Sequence, residues 1–151
     1  MSNLIIRGVE RADDVEWRRL RTGYLEFYDS SVDAAVYPST FGRFFSDDPY
    51  DPRCLVAELD GALVGLVHFF QHRHAWRLEN VVYLQDLFAD PEVRGEGVGR
   101  KLIEAVYAQA DDWGCPQVYW TTQTSNETAR RLYDRIGVAT DFMKYQRPPK
   151  T

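Results

Sequence analysis

The sequence predicts an α/β protein built on one mixed sheet with helices on both faces, and three stretches carry that prediction. Cys54 to Leu59 and Ala62 to Phe70 are apolar runs joined by Asp60-Gly61, the signature of an antiparallel hairpin. Val81 to Phe88, rich in β-branched and aromatic residues, leads through a glycine-rich turn into a helical pattern, and Gln117 to Thr121 follows as a further strand. Hairpins first and a β-α-β-α-β alternation afterwards argue for a mixed sheet with helices on both faces.

Taken in order, Leu4 to Arg7 predicts a short first strand. Asp13 with Glu16 three residues later resembles a capping box, and Trp17, Leu20, Tyr24 and Phe27 then recur on one helical face, most simply a core face. Asp29 to Pro38 predicts a loop, and Phe41, Phe44 and Phe45 a second short helix before the breaker-rich Asp47-Asp48-Pro49-Tyr50-Asp51-Pro52. Gln71 to Asn80 is a polar connection into the strand from Val81. Leu102, Ile103, Val106, Ala110 and Trp113 mark a long helix that Gly114 and Pro116 stop. Ser125 or Asn126 caps a last helix running to Ile136, ended by Gly137, and Val138 to Gln146 supplies one or two closing strands.

The glycine-rich turn carries the chemistry. Arg94, Gly95, Gly97 and Gly99 stand where the long helix begins, so its first backbone N–H groups lack intrahelical partners and its dipole favours an anion. Glycine lets a pyrophosphate approach those groups closely, and Arg94 and Arg100 flank the turn with charge. The spacing excludes two rivals. A dinucleotide fingerprint requires a third glycine where Arg100 stands, and a nucleotide P-loop requires Gly-Lys-Ser/Thr where the chain has Gly99-Arg100-Lys101.

The pattern Arg94-x-x-Gly97-x-Gly99, after a strand and before a helix, resembles the acetyl-CoA pyrophosphate loop of the GNAT superfamily of N-acetyltransferases. The resemblance extends to Ser125-Asn126-Glu127-Thr128-Ala129-Arg130-Arg131-Leu132-Tyr133 and, within the superfamily, Tyr83-Leu84-Gln85-Asp86-Leu87-Phe88 is similar to the polyamine acetyltransferases. With Val118-Tyr119-Trp120 and Lys144-Tyr145, the chain looks like the small yeast-type branch that acetylates histone tails, polyamines or D-amino acids. The resemblance implies a GNAT fold: a central, mostly antiparallel sheet of about six or seven strands flanked by about four helices, residues 1–151 forming a single N-acetyltransferase domain.

It also implies roles. Arg94, Gly95, Glu96, Gly97, Val98, Gly99 and Arg100 would hold the pyrophosphate of acetyl-CoA, the backbone of Leu87, Phe88 and Ala89 would pair with its pantetheine arm as an added strand, and Asn126 would contact the same ligand or simply cap its helix. Acetyl transfer to an amine must dispose of an ammonium proton of pKa about 10 and must protonate a departing thiolate. Tyr133 matches the family's acid beside the thioester sulfur, although its spacing equally allows packing beside Leu132. Asp86 is the candidate base, or the anchor of a relay water. The related polyamine enzymes carry a glutamate before this aspartate, whereas this chain has Gln85, which accepts no proton at neutral pH, leaving Glu79 as a distant alternative.

Composition narrows the setting. The 151 residues suit one domain, and 44% hydrophobic with 14% aromatic content indicates a folded chain. The formal charge of −5 disfavours nucleic acid as a partner and suits a cationic substrate. No apolar run is long enough for a membrane span and the start lacks the form of a signal peptide, which predicts a cytoplasmic protein. Cys54 and Cys115 form no C-x-x-C pair, and His72-x-His74, near His68 but with no cysteine or carboxylate close by, makes a poor zinc site, so no metal is expected. Asp29, Asp33, Asp47, Asp48 and Asp51 fall where the resemblance puts a wall of the acceptor pocket; Arg43, Arg73 and Arg77 would suit an amino-acid carboxylate.

The expected function is therefore acetyl-CoA-dependent acetylation of a small primary amine, a polyamine or an amino acid, by direct attack in a ternary complex. A homodimer is the family habit. A lysine or histone-tail acetyltransferase and a non-catalytic acyl-CoA-binding module are the alternatives.

Overall fold

The hairpin turn at Asp60-Gly61 has φ of 50° and 89° at its two residues, the paired left-handed geometry that matches strand twist. It joins β2 (Arg53–Leu59) to β3 (Ala62–His72), and β1 (Leu4–Gly8) and β4 (Val81–Ala89) complete an antiparallel ladder on either side. A short β5 (Val118–Tyr119) joins β4 in parallel, giving the order β1-β2-β3-β4-β5. The structure is a computed structural model that describes residues 3–93 and 95–150, so the expected phosphate ligand Arg94 lies outside the described residues. The chain divides into two compact units, one through Thr121 and one from Thr122, described here in turn.

In the first unit, α1 (Asp14–Phe27) and α2 (Val36–Arg43) cover one face of the sheet through a core of Trp17, Leu20, Phe41, Phe44, Cys54, Val56 and Leu66. The other face takes α3 (Val98–Asp112), whose Val98, Leu102, Ile103, Val106 and Ala110 are buried at the predicted spacing. Trp113, just past its end, lies against Phe69 of β3 with ring centroids 5.6 Å apart. Close approach here requires a glycine: a Cβ on Gly65 of β3 would stand 2.7 Å from Val98 Cγ1 and 3.0 Å from the carbonyl of Phe88.

Local expectations change: α2 starts at Val36, inside the stretch expected as a loop to Pro38, and ends at Arg43 before Phe44 and Phe45, and β5 covers only Val118–Tyr119 of the expected Gln117 to Thr121. The box at Asp13 and Glu16 does not form, because the Asp13 carboxylate is taken by Arg7 at 2.8 and 3.0 Å and by the Glu10 N–H at 2.7 Å, while Glu16 pairs with Arg19. Only the first part of the α1 stripe is core. Trp17 and Leu20 are buried, Tyr24 is half-buried and Phe27 is 63% exposed, since the helix runs on beyond the core beneath it.

The second unit holds α4 (Glu127–Ile136), capped by Asn126, whose side-chain oxygen accepts from the Ala129 N–H at 3.2 Å. The expected strands within 138–146 are absent, so the described residues form a five-stranded sheet rather than one of six or seven. A strand exists only where a partner takes its backbone hydrogen bonds. Val138, Phe142, Met143 and Tyr145 are instead 75–91% exposed. The mixed α/β class stands, and among the described residues no helix is long and apolar enough to cross a membrane.

Candidate active site

The site begins with a bulge. β3 and β4 pair His68 with Asp86 and then Phe69 with Leu84, leaving Gln85 as an unpaired extra residue. Directly opposed residues share a sheet face and successive residues alternate, so without the bulge Leu84 and Asp86 would point the same way. With it, Leu84 stays buried and Asp86 turns to the face covered by α1, while Gln85 is exposed.

There Asp86 meets residues from distant parts of the chain. Its Oδ2 lies 2.8 Å from His68 Nδ1 and receives Arg21 Nη1 at 2.9 Å, with both side chains of the Arg21–Asp86 pair about seven-eighths buried. On its other side, His68 receives the indole N–H of Trp17 at Nε2, 3.0 Å away. Indole nitrogen only donates, so Nε2 must carry the lone pair and Nδ1 the proton, which it gives to Asp86. Burial holds the His68 pKa below its usual value and keeps the ring neutral. For Asp86, burial alone would raise the pKa, but the His68 hydrogen bond, the Arg21 charge and a hydrogen bond from Tyr24 outweigh it, and the carboxyl lies below the ordinary range. Asp86 is thus a firmly ionised carboxylate surrounded by donors.

Beyond the bulge β4 has an open edge. Its pairing with β5 ends at Tyr83 with Tyr119, and from Leu84 to Ala89 the backbone on that side has no strand partner among the described residues. Leu87, Phe88 and Ala89 lie on this stretch, Phe88 against Tyr24 of α1 at 6.4 Å between ring centroids. The edge points into the glycine turn. Gly95 and Gly97 have φ of 75° and 66°, conformations that any side chain would strain, and Gly97 is the residue before α3. Among the described residues no side chain caps that helix, and its first intrahelical bond runs from Lys101 N to Gly97 O, which leaves the amides of Val98, Gly99 and Arg100 without an intrahelical acceptor. Glu96 is part of the same turn, and the Arg100 guanidinium is paired with Glu104 at 3.2 Å. An extended ligand with an anionic end fits this backbone: a strand edge for its arm and bare amides for its phosphates.

A cavity of about 510 Å³ opens beside it between α1 and the turn after β4, walled by Gly23, Phe27 and Phe88 and carrying Glu26, Asp90 and Glu92 with one cation, Arg19, 4.0 Å from Asp90. Of the acidic residues expected in the acceptor wall, Asp33 and Asp48 accept from the backbone N–H groups of Ala35 and Tyr50, and Asp51 from the Ser46 hydroxyl. The three histidines do not converge, since His72 faces Tyr119, His74 accepts from the Trp76 N–H and His68 belongs to Asp86. Among the described residues no three potential ligands cluster for a metal. In the second unit, Tyr133 is half-buried near the end of α4 and its carbonyl accepts the Gly137 N–H at 2.7 Å, while Asn126 is the helix cap.

Sequence reasoning missed Arg21, His68 and Trp17 as parts of the site. The only trace was an arginine on the inner side of α1, at position 21 between Trp17 and Tyr24, where a purely apolar face would exclude it.

The fold and this edge define a class, a mixed-sheet protein with an open strand edge leading into a glycine turn and the start of a helix. Residues 16–138 match the model of the Acetyltransferase (GNAT) family. The chain belongs to that family and is an N-acetyltransferase. It is 34% identical over 145 residues to the D-amino-acid N-acetyltransferase HPA3 of Saccharomyces cerevisiae, covering 95% of this chain and 90% of that protein. It is also 34% identical over 101 residues to the thialysine N-epsilon-acetyltransferase of Bos taurus, a match spanning 62% of this chain and 58% of that one. Among solved structures, the aminoglycoside N-acetyltransferase AAC(6')-Iy in complex with CoA shares the fold at a TM-score of 0.81 and 21% identity, covering 98% of this chain and 96% of that chain.

Proposed function

We propose that this N-acetyltransferase moves the acetyl group of acetyl-CoA to a primary amine of a small cationic acceptor, by direct attack within a ternary complex. The observation that carries the reading is the unpaired edge of β4 running into the bare amides at the start of α3. Leu87, Phe88 and Ala89 hold the arm of the ligand by backbone bonds, and one of their N–H groups polarises the acetyl carbonyl. Gly95, Glu96, Gly97, Val98, Gly99 and Arg100 hold the pyrophosphate through the backbone, with Arg94 as a flanking charge and Asn126 as a further contact, the last two by family resemblance. The net charge of −5 and the carboxylates of Glu26, Asp90 and Glu92 in the neighbouring cavity favour an acceptor carrying positive charge.

The amine nitrogen bonds to the acetyl carbon, the carbon–sulfur bond breaks, and an amide and CoA result. Tyr133 gives its phenolic proton to the leaving sulfur and is reprotonated from solvent. Asp86 serves as the anchor of a relay water, which passes the protons lost by the amine on to solvent, rather than as the base itself. Its lowered pKa and its bonds from His68, Arg21 and Tyr24 make it a poor proton acceptor and a good fixed anion.

The same reading makes residues 1–151 one catalytic domain, because the family match at 16–138 crosses the boundary between the two units. It extends to a homodimer, favoured by the exposed apolar side chains of Val138, Phe142, Met143 and Tyr145. A cytoplasmic setting agrees with two buried, unbridged cysteines, Cys54 and Cys115.

The test is thiol release from acetyl-CoA against spermidine, lysine, D-amino acids and a histone-tail peptide, with Tyr133→Phe beside the parent chain. Turnover with a small cationic amine, lowered by the mutation mainly in kcat, is expected. Tight acetyl-CoA binding without turnover of any amine would remove the reading.

A further inference from the structure

The sheet face that carries Asp86 continues past α1 onto a group of aromatic residues that the reaction above does not use. Register places Phe70 opposite Tyr83 and His72 opposite Val81, and Tyr83 pairs in turn with Tyr119 on β5. The Tyr83 and Tyr119 rings stack at 4.9 Å with planes 18° apart, and Phe70 stands edge-on to Tyr83 at 5.6 Å.

Hydrogen bonding gives this shelf a polarity. His72 Nδ1 lies 2.7 Å from the Arg73 carbonyl, which can only accept, so Nδ1 carries the proton. In the neutral imidazole Nε2 then has the lone pair and takes the Tyr119 O–H at 2.7 Å. Burial, with Tyr83 adding to it, raises the Tyr119 pKa and keeps it a phenol. With its single proton committed to His72, the Tyr119 oxygen faces a ligand only as an acceptor. The Tyr83 hydroxyl belongs to the ring stacked beside it. Two phenol oxygens and stacked π faces attract a cation, whereas a carboxylate would meet the lone pairs of Tyr119. Arg73, the cation nearest in sequence, is turned to the Tyr50 ring at 5.8 Å.

The shelf lies at the closed end of the gap between β4 and β5, where the strands still pair. The open edge on which the acyl group would lie starts at the next residue, and Asp86 is three residues along β4, about 10 Å at full extension. We propose that Tyr83 and Tyr119, with His72 setting the direction of the Tyr119 proton, receive a second, non-reacting ammonium of the acceptor, so that the enzyme selects diamines over monoamines. This rests on the reading that the acceptor is an amine.

Calorimetric titration of the CoA-loaded protein with 1,5-diaminopentane and with pentylamine tests the seat without requiring turnover. The diamine binds more tightly than the monoamine, and Tyr119→Phe, which keeps the ring and removes the oxygen, weakens the diamine about tenfold while leaving pentylamine unchanged. Tyr83→Phe weakens it in the same sense, and His72→Gln, whose amide oxygen can still take the Tyr119 proton, retains most of the affinity. Equal binding of the two amines to the parent chain, or equal losses for both in the Tyr→Phe variants, overturns the proposal. Thiol release is followed in the same samples. Its absence alongside Tyr119-dependent diamine binding would remove the acetyl-transfer reading and leave the ammonium seat standing.

Discussion

Trp17 donates its indole N–H to His68 Nε2 at 3.0 Å, and that bond decides which nitrogen of the imidazole faces Asp86. A ring whose Nε2 is occupied by a donor must offer its own proton from Nδ1, so Asp86 receives a hydrogen bond and keeps its charge. The helix thus sets the electrostatics of a strand residue through an intermediary neither of them neighbours in sequence. His68 and Trp17 touch no acceptor or acetyl group in this account; they position Asp86.

The neutral state of His68 makes stability depend on pH. Its folded pKa is depressed by burial, so below about 6.5 the unfolded chain takes up a proton that the folded chain refuses. Stability is full above that pH and falls on acidification, at up to about 1.4 kcal/mol per pH unit for this proton. Asp86, also depressed, adds a second loss only below about pH 3.9. Urea midpoints measured from pH 7.5 to 5.0 should decline, and His68→Gln should flatten that window.

Asp86→Asn removes the charge opposite Arg21 and leaves the guanidinium largely buried without a counter-ion. A loss on the order of 3 kcal/mol is expected, together with a fall in kcat. Urea unfolding and steady-state kinetics on the same preparation separate the roles. A variant that has lost stability but keeps full turnover at saturating substrates would remove Asp86 from the proton relay.

Gly65→Ala sets a methyl group against Val98 Cγ1 at 2.7 Å, the Phe88 carbonyl at 3.0 Å and Leu102 Cδ1 at 3.1 Å. The Phe88 carbonyl belongs to β4 and cannot rotate away, and the contacts with Val98 and Leu102 press on α3, so the helix shifts against the sheet, at a cost of about 1–3 kcal/mol. Val98 is the first residue of that helix, and the displacement carries its bare amides with it. The thermal midpoint should fall and the KM for acetyl-CoA should rise; a change in stability with no change in KM would separate the sheet contact from the phosphate turn.

Gly97→Ala tests the turn itself. Nothing lies within 4 Å of the added methyl group, so the effect comes from φ of 66° alone, about 1–2 kcal/mol for a residue with a Cβ. The substitution should weaken CoA binding in a calorimetric titration several-fold, about 1 kcal/mol, with a smaller effect on kcat once acetyl-CoA saturates.

Much of the molecule was legible along the chain. The Asp60-Gly61 hairpin, the helix from Val98 with its buried Leu102, Ile103, Val106 and Ala110, and the glycines at Gly95 and Gly97 all depend on backbone preferences acting within a few residues, so short-range pattern determined them. The family followed from the same local features, because a phosphate turn is a strand end, a few glycines and a helix start. The surroundings of Asp86 had no such local cause. Arg21 lies 65 residues from it, and Trp17 lies 51 residues from His68, which itself lies 18 from Asp86. A bulge at Gln85, visible only once β3 and β4 are in register, turns Asp86 toward them. Residues 138–146 show the converse: an apolar sequence suits a strand, but strand formation depends on an edge that hydrogen-bonds to it, and only tertiary structure decides whether one is there. Sequence thus determined the elements and the class of chemistry, while the protonation states and partners that tune it came from contacts that form only when distant segments meet.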